Sequence, residues 1–131
     1  PDGQTFATAS FDKTIKLWRI DGKLLQTLKG HRDGIWNISF SPDGQILASV
    51  SPDKTVKLWS SNGKLLQTLK GHNEEVTNVA FSPDGKMIAS TGADKIVKLW
   101  SRDGKELRTL NGHNDEVWGV RFSPDGQILA T

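Results

Sequence analysis

A repeat of 41 residues runs through the sequence without insertion or deletion. The dipeptide Gly-His begins at residues 30, 71 and 112, and Phe-Ser-Pro-Asp-Gly begins at 40, 81 and 122. Segments 30–70 and 71–111 are identical at 22 of 41 positions. A repeat of this length is one supersecondary unit that must stack on its neighbours to bury a core. The chain is therefore expected to fold as a row of equivalent units.

Each unit reads as four short strands separated by tight turns. In the unit 30–70, apolar and mixed residues alternate over 35–40, and β-forming residues fill 46–50, 55–59 and 64–69. Ser-Pro-Asp-Gly over 41–44 and Asn-Gly over 62–63 are strong turn signals. Four antiparallel strands in about 40 residues are typical of a propeller blade. We predict an all-β protein made of β-propeller blades of four antiparallel strands, with no helix longer than one turn.

The repeat also predicts an incomplete propeller in one chain of 131 residues. Segments 30–70 and 71–111 are complete blades, while 1–29 and 112–131 are partial ones. Closed propellers need four to eight blades, so two blade faces are left bare. Two explanations stay open: a segment of a longer chain, or copies that join end to end. If copies join, the strand near 117–122 should pair with a neighbour's strand near 5–9.

Composition and charge narrow the classes of function. The chain has no Cys, which excludes thiolate nucleophiles and Cys-ligated metal centres. Its net charge of +2 is too balanced to indicate nucleic acid or an anionic membrane as a partner. No apolar run approaches the roughly 18 residues of a membrane-spanning helix. We expect no nucleic acid, no membrane, no metal and no cofactor, and a cytoplasmic protein.

Every complete unit carries one His, one Ser, one Asp and one Trp in the same phase. A Ser/His/Asp set invites a hydrolase interpretation. However, a catalytic triad occurs once per active site, and the sequence has no Gly-x-Ser-x-Gly nucleophile turn. The repetition favours a structural role, so we assign no catalytic residue. These residues are His31, Ser49, Asp53 and Trp59, then His72, Ser90, Asp94 and Trp100.

The Gly-His dipeptide, the Ser-Pro-Asp-Gly turn and an Asp six residues before a Trp together resemble the WD-repeat family of β-propellers. The Asp that gives the family its name is missing, because Arg19, Ser60 and Ser101 follow the three tryptophans. The resemblance implies a structural tetrad in which the Trp indole bonds the hydroxyl, the hydroxyl bonds the His, and the His bonds the Asp. It also implies partial tetrads at the two ends: Thr8, Asp12 and Trp18 at one, His113 and Thr131 at the other.

The same resemblance implies a non-catalytic protein-interaction scaffold that binds a protein or peptide on the top face, around the propeller channel. The alternatives are the propeller part of a larger enzyme or sensor with its catalytic domain elsewhere, and a small-ligand or glycan binder. The family's top-face positions that differ between units predict a site that reads a segment with basic residues. In a competing interpretation, the tryptophans at this site do not bind a partner but plug the channel or pack between blades. The predicted contact residues are Phe11, Trp36, Glu75, Thr77, Glu116 and Trp118.

Overall fold

The computed structural model describes residues 3–131, and within them the chain contains thirteen β-strands and no helix. By the 41-residue repeat, Pro1-Asp2-Gly3 corresponds to 42–44 and is predicted to be the turn before the second strand of a blade; it begins outside the described residues. The strands are β1 Thr5–Ala9, β2 Thr14–Arg19, β3 Leu24–Lys29, β4 Asn37–Phe40, β5 Ile46–Val50, β6 Thr55–Ser60, β7 Leu65–Lys70, β8 Val76–Phe81, β9 Met87–Gly92, β10 Val97–Ser101, β11 Glu106–Leu110, β12 Arg121–Phe122 and β13 Leu129–Ala130.

The strands form four antiparallel sheets in chain order. Strands β1–β3 form blade 1, β4–β7 blade 2, β8–β11 blade 3 and β12–β13 blade 4. Each strand pairs only with its chain neighbours inside its own sheet, which is the meander of a propeller blade. The predicted all-β class with incomplete propeller blades is confirmed.

The turn sequence accounts for the connection between the two inner strands of blade 2. Ser41 Oγ donates to Asp43 Oδ1 over 2.6 Å, and the same carboxylate oxygen accepts the Gln45 backbone N–H over 3.1 Å. Gly44 has a φ of 71°, a conformation that costs a glycine little and a branched residue much. The same arrangement recurs at Asp84 and Asp125. These turns fix the register of the two inner strands in blades 2, 3 and 4.

The core lies between blades, not inside them. Val56 and Leu58 of blade 2 pack on Val76 and Ile88 of blade 3, and all four are at most 1% exposed. Equivalent clusters join blade 1 to blade 2 and blade 3 to blade 4. Because each sheet buries both faces only when it has two neighbours, the order of blades is held by the burial of apolar surface.

Backbone hydrogen bonds also connect successive blades at one repeated position. The Ile35 N–H donates to the Ser10 carbonyl over 3.1 Å, and the Val76 N–H donates to the Ser51 carbonyl over 3.2 Å. The Val117 N–H makes the equivalent bond to the Gly92 carbonyl over 3.1 Å.

In blade 2 the innermost strand begins at residue 37, two residues later than predicted. Residue 35 bonds to the neighbouring blade instead of to its own sheet.

Candidate functional site

Blade 2 contains a continuous chain of four hydrogen-bonded side chains. Trp59 Nε1 donates to Ser49 Oγ over 2.8 Å, and Ser49 Oγ lies 2.8 Å from His31 Nε2. His31 Nδ1 lies 2.8 Å from Asp53 Oδ2. A carboxylate only accepts, so His31 Nδ1 carries the proton and His31 Nε2 accepts from the serine hydroxyl. The chain ties strands β5 and β6 to the loop before β4.

Blade 3 repeats this chain with nearly the same geometry. Trp100 Nε1 donates to Ser90 Oγ over 2.8 Å, Ser90 lies 2.8 Å from His72 Nε2, and His72 Nδ1 lies 2.8 Å from Asp94 Oδ2. Both serines are fully buried. Each serine hydroxyl donates its proton in a hydrogen bond to the histidine. The serine oxygens are buried, so a substrate carbonyl cannot reach them. The arrangement is suited to locking a blade and not to nucleophilic attack.

The electrostatics favour a charged Asp53 in blade 2 and a neutral His72 in blade 3. Burial raises the pKa of Asp53, but donated hydrogen bonds from His31, from the Thr55 hydroxyl and from the Arg32 backbone outweigh it and hold that pKa well below its usual range. Burial lowers the pKa of His72, and the nearby Asp94 carboxylate offsets only part of that effect. His72 is therefore favoured as a neutral imidazole whose Nδ1 donates to Asp94.

Half of a tetrad stands at each end of the chain. Trp18 Nε1 donates to Thr8 Oγ1 over 2.9 Å, as Trp59 does to Ser49. At the other end, His113 Nε2 lies 2.7 Å from Thr131 Oγ1. Both threonines and His113 are exposed. Within residues 3–131, Asp12 receives no histidine and His113 reaches no carboxylate.

Aromatic side chains gather where the inner strands converge. The Trp36 and Trp118 rings are stacked with centroids 5.3 Å apart and an interplanar angle of 19°. They belong to blades 2 and 4, so the pair bridges over blade 3. Together with Phe11 they border an open cleft of about 630 Å³. We call this surface the aromatic face; the remaining residues that line its cleft are Ala9, Ser10, Ile35, Asn37, Thr77 and Asn78.

Exposure separates the members of the aromatic face. Phe11 is 78% exposed and Trp118 is 58% exposed, whereas Trp36 is half-buried. The Trp36 Nε1 atom is the one buried side-chain nitrogen or oxygen without a hydrogen-bond partner in the described part of the chain. The exposed Trp118 ring and the buried Trp36 N–H without an acceptor both cost free energy if this surface contacts only water.

Sequence comparison identifies the family. The family model described as "WD domain, G-beta repeat" matches residues 1–19, 22–60, 63–101 and 104–131. This chain belongs to the WD-repeat family. The two central matched segments, 22–60 and 63–101, begin in the turn before an outer strand, so each spans the outer strand of one blade and the three inner strands of the next. The resemblance drawn from the sequence is confirmed.

Curated relatives match this WD-repeat chain over about one unit. The U3 small nucleolar RNA-associated protein 13 of Saccharomyces cerevisiae is 48% identical over 40 residues, which are 30% of this chain and 5% of that protein. The WD40 repeat-containing protein HOS15 of Arabidopsis thaliana is 49% identical over 39 residues, 29% of this chain and 6% of that protein. Protein transport protein SEC13 of Yarrowia lipolytica is 48% identical over 42 residues, 30% of this chain and 14% of that protein. The chain thus matches only a small part of the length of these relatives.

One predicted contact residue does not lie on the accessible surface. Thr77 is 4% exposed, and its hydroxyl bonds the Val117 carbonyl of blade 4 and lies 3.1 Å from the Thr91 carbonyl. The prediction that it is an exposed contact residue was wrong. Thr77 belongs to the blade between those of Trp36 and Trp118, and its hydroxyl is held between carbonyls of its own blade and of blade 4. Of the two predicted acidic residues, Glu116 is exposed and Glu75 is half-buried.

Sequence reasoning missed a lysine that connects each blade to the next. Lys13, Lys54 and Lys95 have φ values of 71°, 68° and 67°, a left-handed conformation rare outside glycine. Their ammonium groups donate to the Arg32, Asn73 and Asn114 carbonyls over 2.9, 2.7 and 3.0 Å. Their recurrence after each turn Asp was the signal that could have identified them.

No constellation for a metal ion emerges from the described part of the chain. Residues 3–131 hold no group of three or more His, Asp or Glu side chains arranged to bind a metal.

None of the described residues 3–131 form a helix long and apolar enough to cross a lipid bilayer.

Proposed function

We propose that this WD-repeat chain is a non-catalytic scaffold that binds a protein or peptide segment at the aromatic face. The observation that carries the proposal is the stack of the exposed Trp118 on Trp36 beside a cleft of about 630 Å³. Tryptophan is enriched among the residues that dominate binding energy, because it buries a large rigid surface at little entropic cost.

The cleft offers a bound segment both apolar contact and hydrogen bonds. Phe11 and Trp118 supply exposed aromatic surface, while Asn37 and Asn78 bring amide groups to the same lining. Trp36 Nε1 is a buried donor without a partner, so a peptide carbonyl reaches it only when the Trp36–Trp118 stack opens. Satisfying the donor after that opening recovers about 1–3 kcal/mol.

The charge near the aromatic face favours a segment with basic residues. Glu75 and Glu116 occupy equivalent positions of blades 3 and 4, two residues before Thr77 and Trp118. No ion pair within residues 3–131 involves either carboxylate. A basic side chain would complement both charges and accelerate association.

The test is a selection of binding peptides from a random display library, followed by affinity measurements on single variants. Trp118→Ala is expected to weaken the selected peptides at least tenfold, with Phe11→Ala weakening them less. Leu107→Ala is the matched control, because Leu107 is similarly exposed at 50% but lies on the outer strand of blade 3. If Trp118→Ala and Phe11→Ala leave every affinity within twofold of the unmodified chain, the binding site is elsewhere.

A further inference from the structure

Blade 2 holds a buried lysine without a carboxylate partner. Lys57 is only 8% exposed, and its ammonium group donates to Thr68 Oγ1 over 2.9 Å. An ammonium has three donors, and no ion pair within residues 3–131 involves Lys57. A buried charge that lacks a counter-charge is expensive. We therefore expect an anionic ligand or another negatively charged group to neutralise Lys57.

The equivalent lysine of blade 3 shows what the compensating group is when the chain supplies one. Lys98 is 6% exposed and donates to Thr109 Oγ1 over 2.8 Å, but it also pairs with Glu106 Oε1 over 2.7 Å. The residue of blade 2 that corresponds to Glu106 is Leu65. The internal carboxylate of blade 3 is thus absent from blade 2.

Two further differences between the repeats point in the same direction. Arg32 and Lys70 of blade 2 stand where blade 3 has Asn73 and Asn111. Both line, with Lys57, a pocket of about 250 Å³. Within residues 3–131, neither of their side chains forms an ion pair. The remaining residues that line this pocket are Asp53, Lys54, Thr55, Thr68 and His72.

The net charge of this pocket matches a doubly charged oxyanion. Lys54 is paired with Glu74 Oε2 over 3.2 Å, so its charge is largely offset. Lys57, Arg32 and Lys70 against the single carboxylate of Asp53 leave a charge of +2. Asp53 does not compete for the lysine, since its two oxygens already accept from His31, Arg32 and Thr55. A phosphate monoester carries about −1.5 to −2 at neutral pH.

We propose that the pocket formed by Lys57, Arg32 and Lys70 of blade 2 binds a phosphate group. The Lys57 ammonium and the Thr68 hydroxyl meet the anion at the base of the pocket, and Arg32 and Lys70 close over it from the exposed rim. This site is on blade 2 and is separate from the aromatic face, so it stands independently of the function proposed above. The electrostatics of the pocket support this site. Burial lowers the pKa of Lys57, and the repulsion from Arg32 and Lys70 opposes the attraction of Asp53. A bound dianion would favour the charged form of Lys57.

The experiment titrates the chain with inorganic phosphate at constant ionic strength and follows backbone amide shifts by NMR. Saturable shifts are expected around the pocket. Lys57→Met, which keeps an apolar stem of similar length, should weaken phosphate at least tenfold. Leu65→Glu builds the blade 3 carboxylate into blade 2 and should do the same, while raising the thermal unfolding midpoint. Lys86→Met is the matched control, because the Lys86 side chain is 81% exposed, lies in a turn of blade 3 and is absent from the pocket lining.

A second arm compares a short phosphoserine peptide with its unphosphorylated form. Binding of both free phosphate and the phosphopeptide means that the group enters while attached to a protein, and binding of free phosphate alone assigns the site to the ion. Either result supports the proposal when Lys57→Met and Leu65→Glu each abolish the binding of phosphate. The proposal is overturned if phosphate produces no saturable shifts, or if both variants, folded by circular dichroism, bind within twofold of the unmodified chain.

Discussion

Removing one carboxylate tests how much a complete tetrad stabilises its blade. In Asp53→Ala, four hydrogen bonds disappear: His31 Nδ1 at 2.8 Å, the Arg32 N–H at 2.9 Å, the Thr55 N–H at 3.0 Å and the Thr55 hydroxyl at 2.6 Å. The His31 side chain is 0% exposed, so its donor loses its acceptor without gaining water. We expect the free energy of unfolding to fall by about 1–3 kcal/mol for that orphaned donor.

Asp12→Ala is the matched control for this prediction. Asp12 makes the same turn bonds, to the Thr14 N–H at 3.0 Å and to the Thr14 hydroxyl at 2.6 Å, but meets no histidine within residues 3–131. Its substitution therefore removes the turn alone. Urea unfolding followed by circular dichroism gives both free energies of unfolding, provided the slopes with denaturant agree. Equal losses in Asp53→Ala and Asp12→Ala would refute the reasoning that the histidine bond stabilises the blade.

Two further predictions concern pH and assembly. The folded pKa of Asp53 lies below its ordinary 3.8 and that of His72 below 6.5. Since the unfolded chain then binds more protons, stability falls as the pH drops, first below about 6.5 through His72 and then below 3.8 through Asp53. His72→Gln should flatten the first part of this decline in urea unfolding. The isolated 131-residue polypeptide is expected to self-associate through its bare blade faces. Light scattering checks this, and one chain mass for a well-folded sample would contradict it.

End-to-end joining requires a rearrangement that the repeat alone does not reveal. The strand Arg121–Phe122 already pairs with Leu129–Ala130 of its own chain. A neighbour's Thr5–Ala9 reaches that position only by displacing this two-residue pairing. The exchange is favourable in one respect, because the incoming segment also brings Asp12 and Trp18 to His113. The predicted pairing between copies stays a prediction.

The repeat predicted the fold well because its strongest signals are local. The Ser-Pro-Asp-Gly turn and the Asn-Gly hairpin depend on backbone conformation and on contacts two residues apart, and both are encoded in the sequence. Equivalent positions in every unit then placed the tetrad residues together. Contacts between blades were harder to predict. Lys57 and Lys98 alternate with apolar residues in the sequence, yet both are buried, with their ammonium groups bonded to Thr68 and Thr109 of the outer strands.

The aromatic face shows the same limit on a smaller scale. Position in the unit placed Trp36, Thr77 and Trp118 at one end of the inner strands, and all three line the cleft. Which of them is accessible depends on contacts between blades: Trp118 is exposed and stacked on Trp36, whereas Thr77 is buried and bonded to the Val117 carbonyl. Equivalent position predicts location, but contacts with the neighbouring blades decide exposure.

The most direct test of the proposed interaction face uses the five tryptophan indoles as reporters. A peptide selected from the display library is added to the isotope-labelled chain, and each indole N–H signal is followed by NMR. We predict that the Trp36 and Trp118 signals shift in proportion to binding. Trp59 and Trp100, whose indoles are held by buried serines, should stay unchanged and serve as internal controls. Shifts at Trp59 and Trp100 with unchanged Trp36 and Trp118 signals would show that the peptide does not bind at the aromatic face.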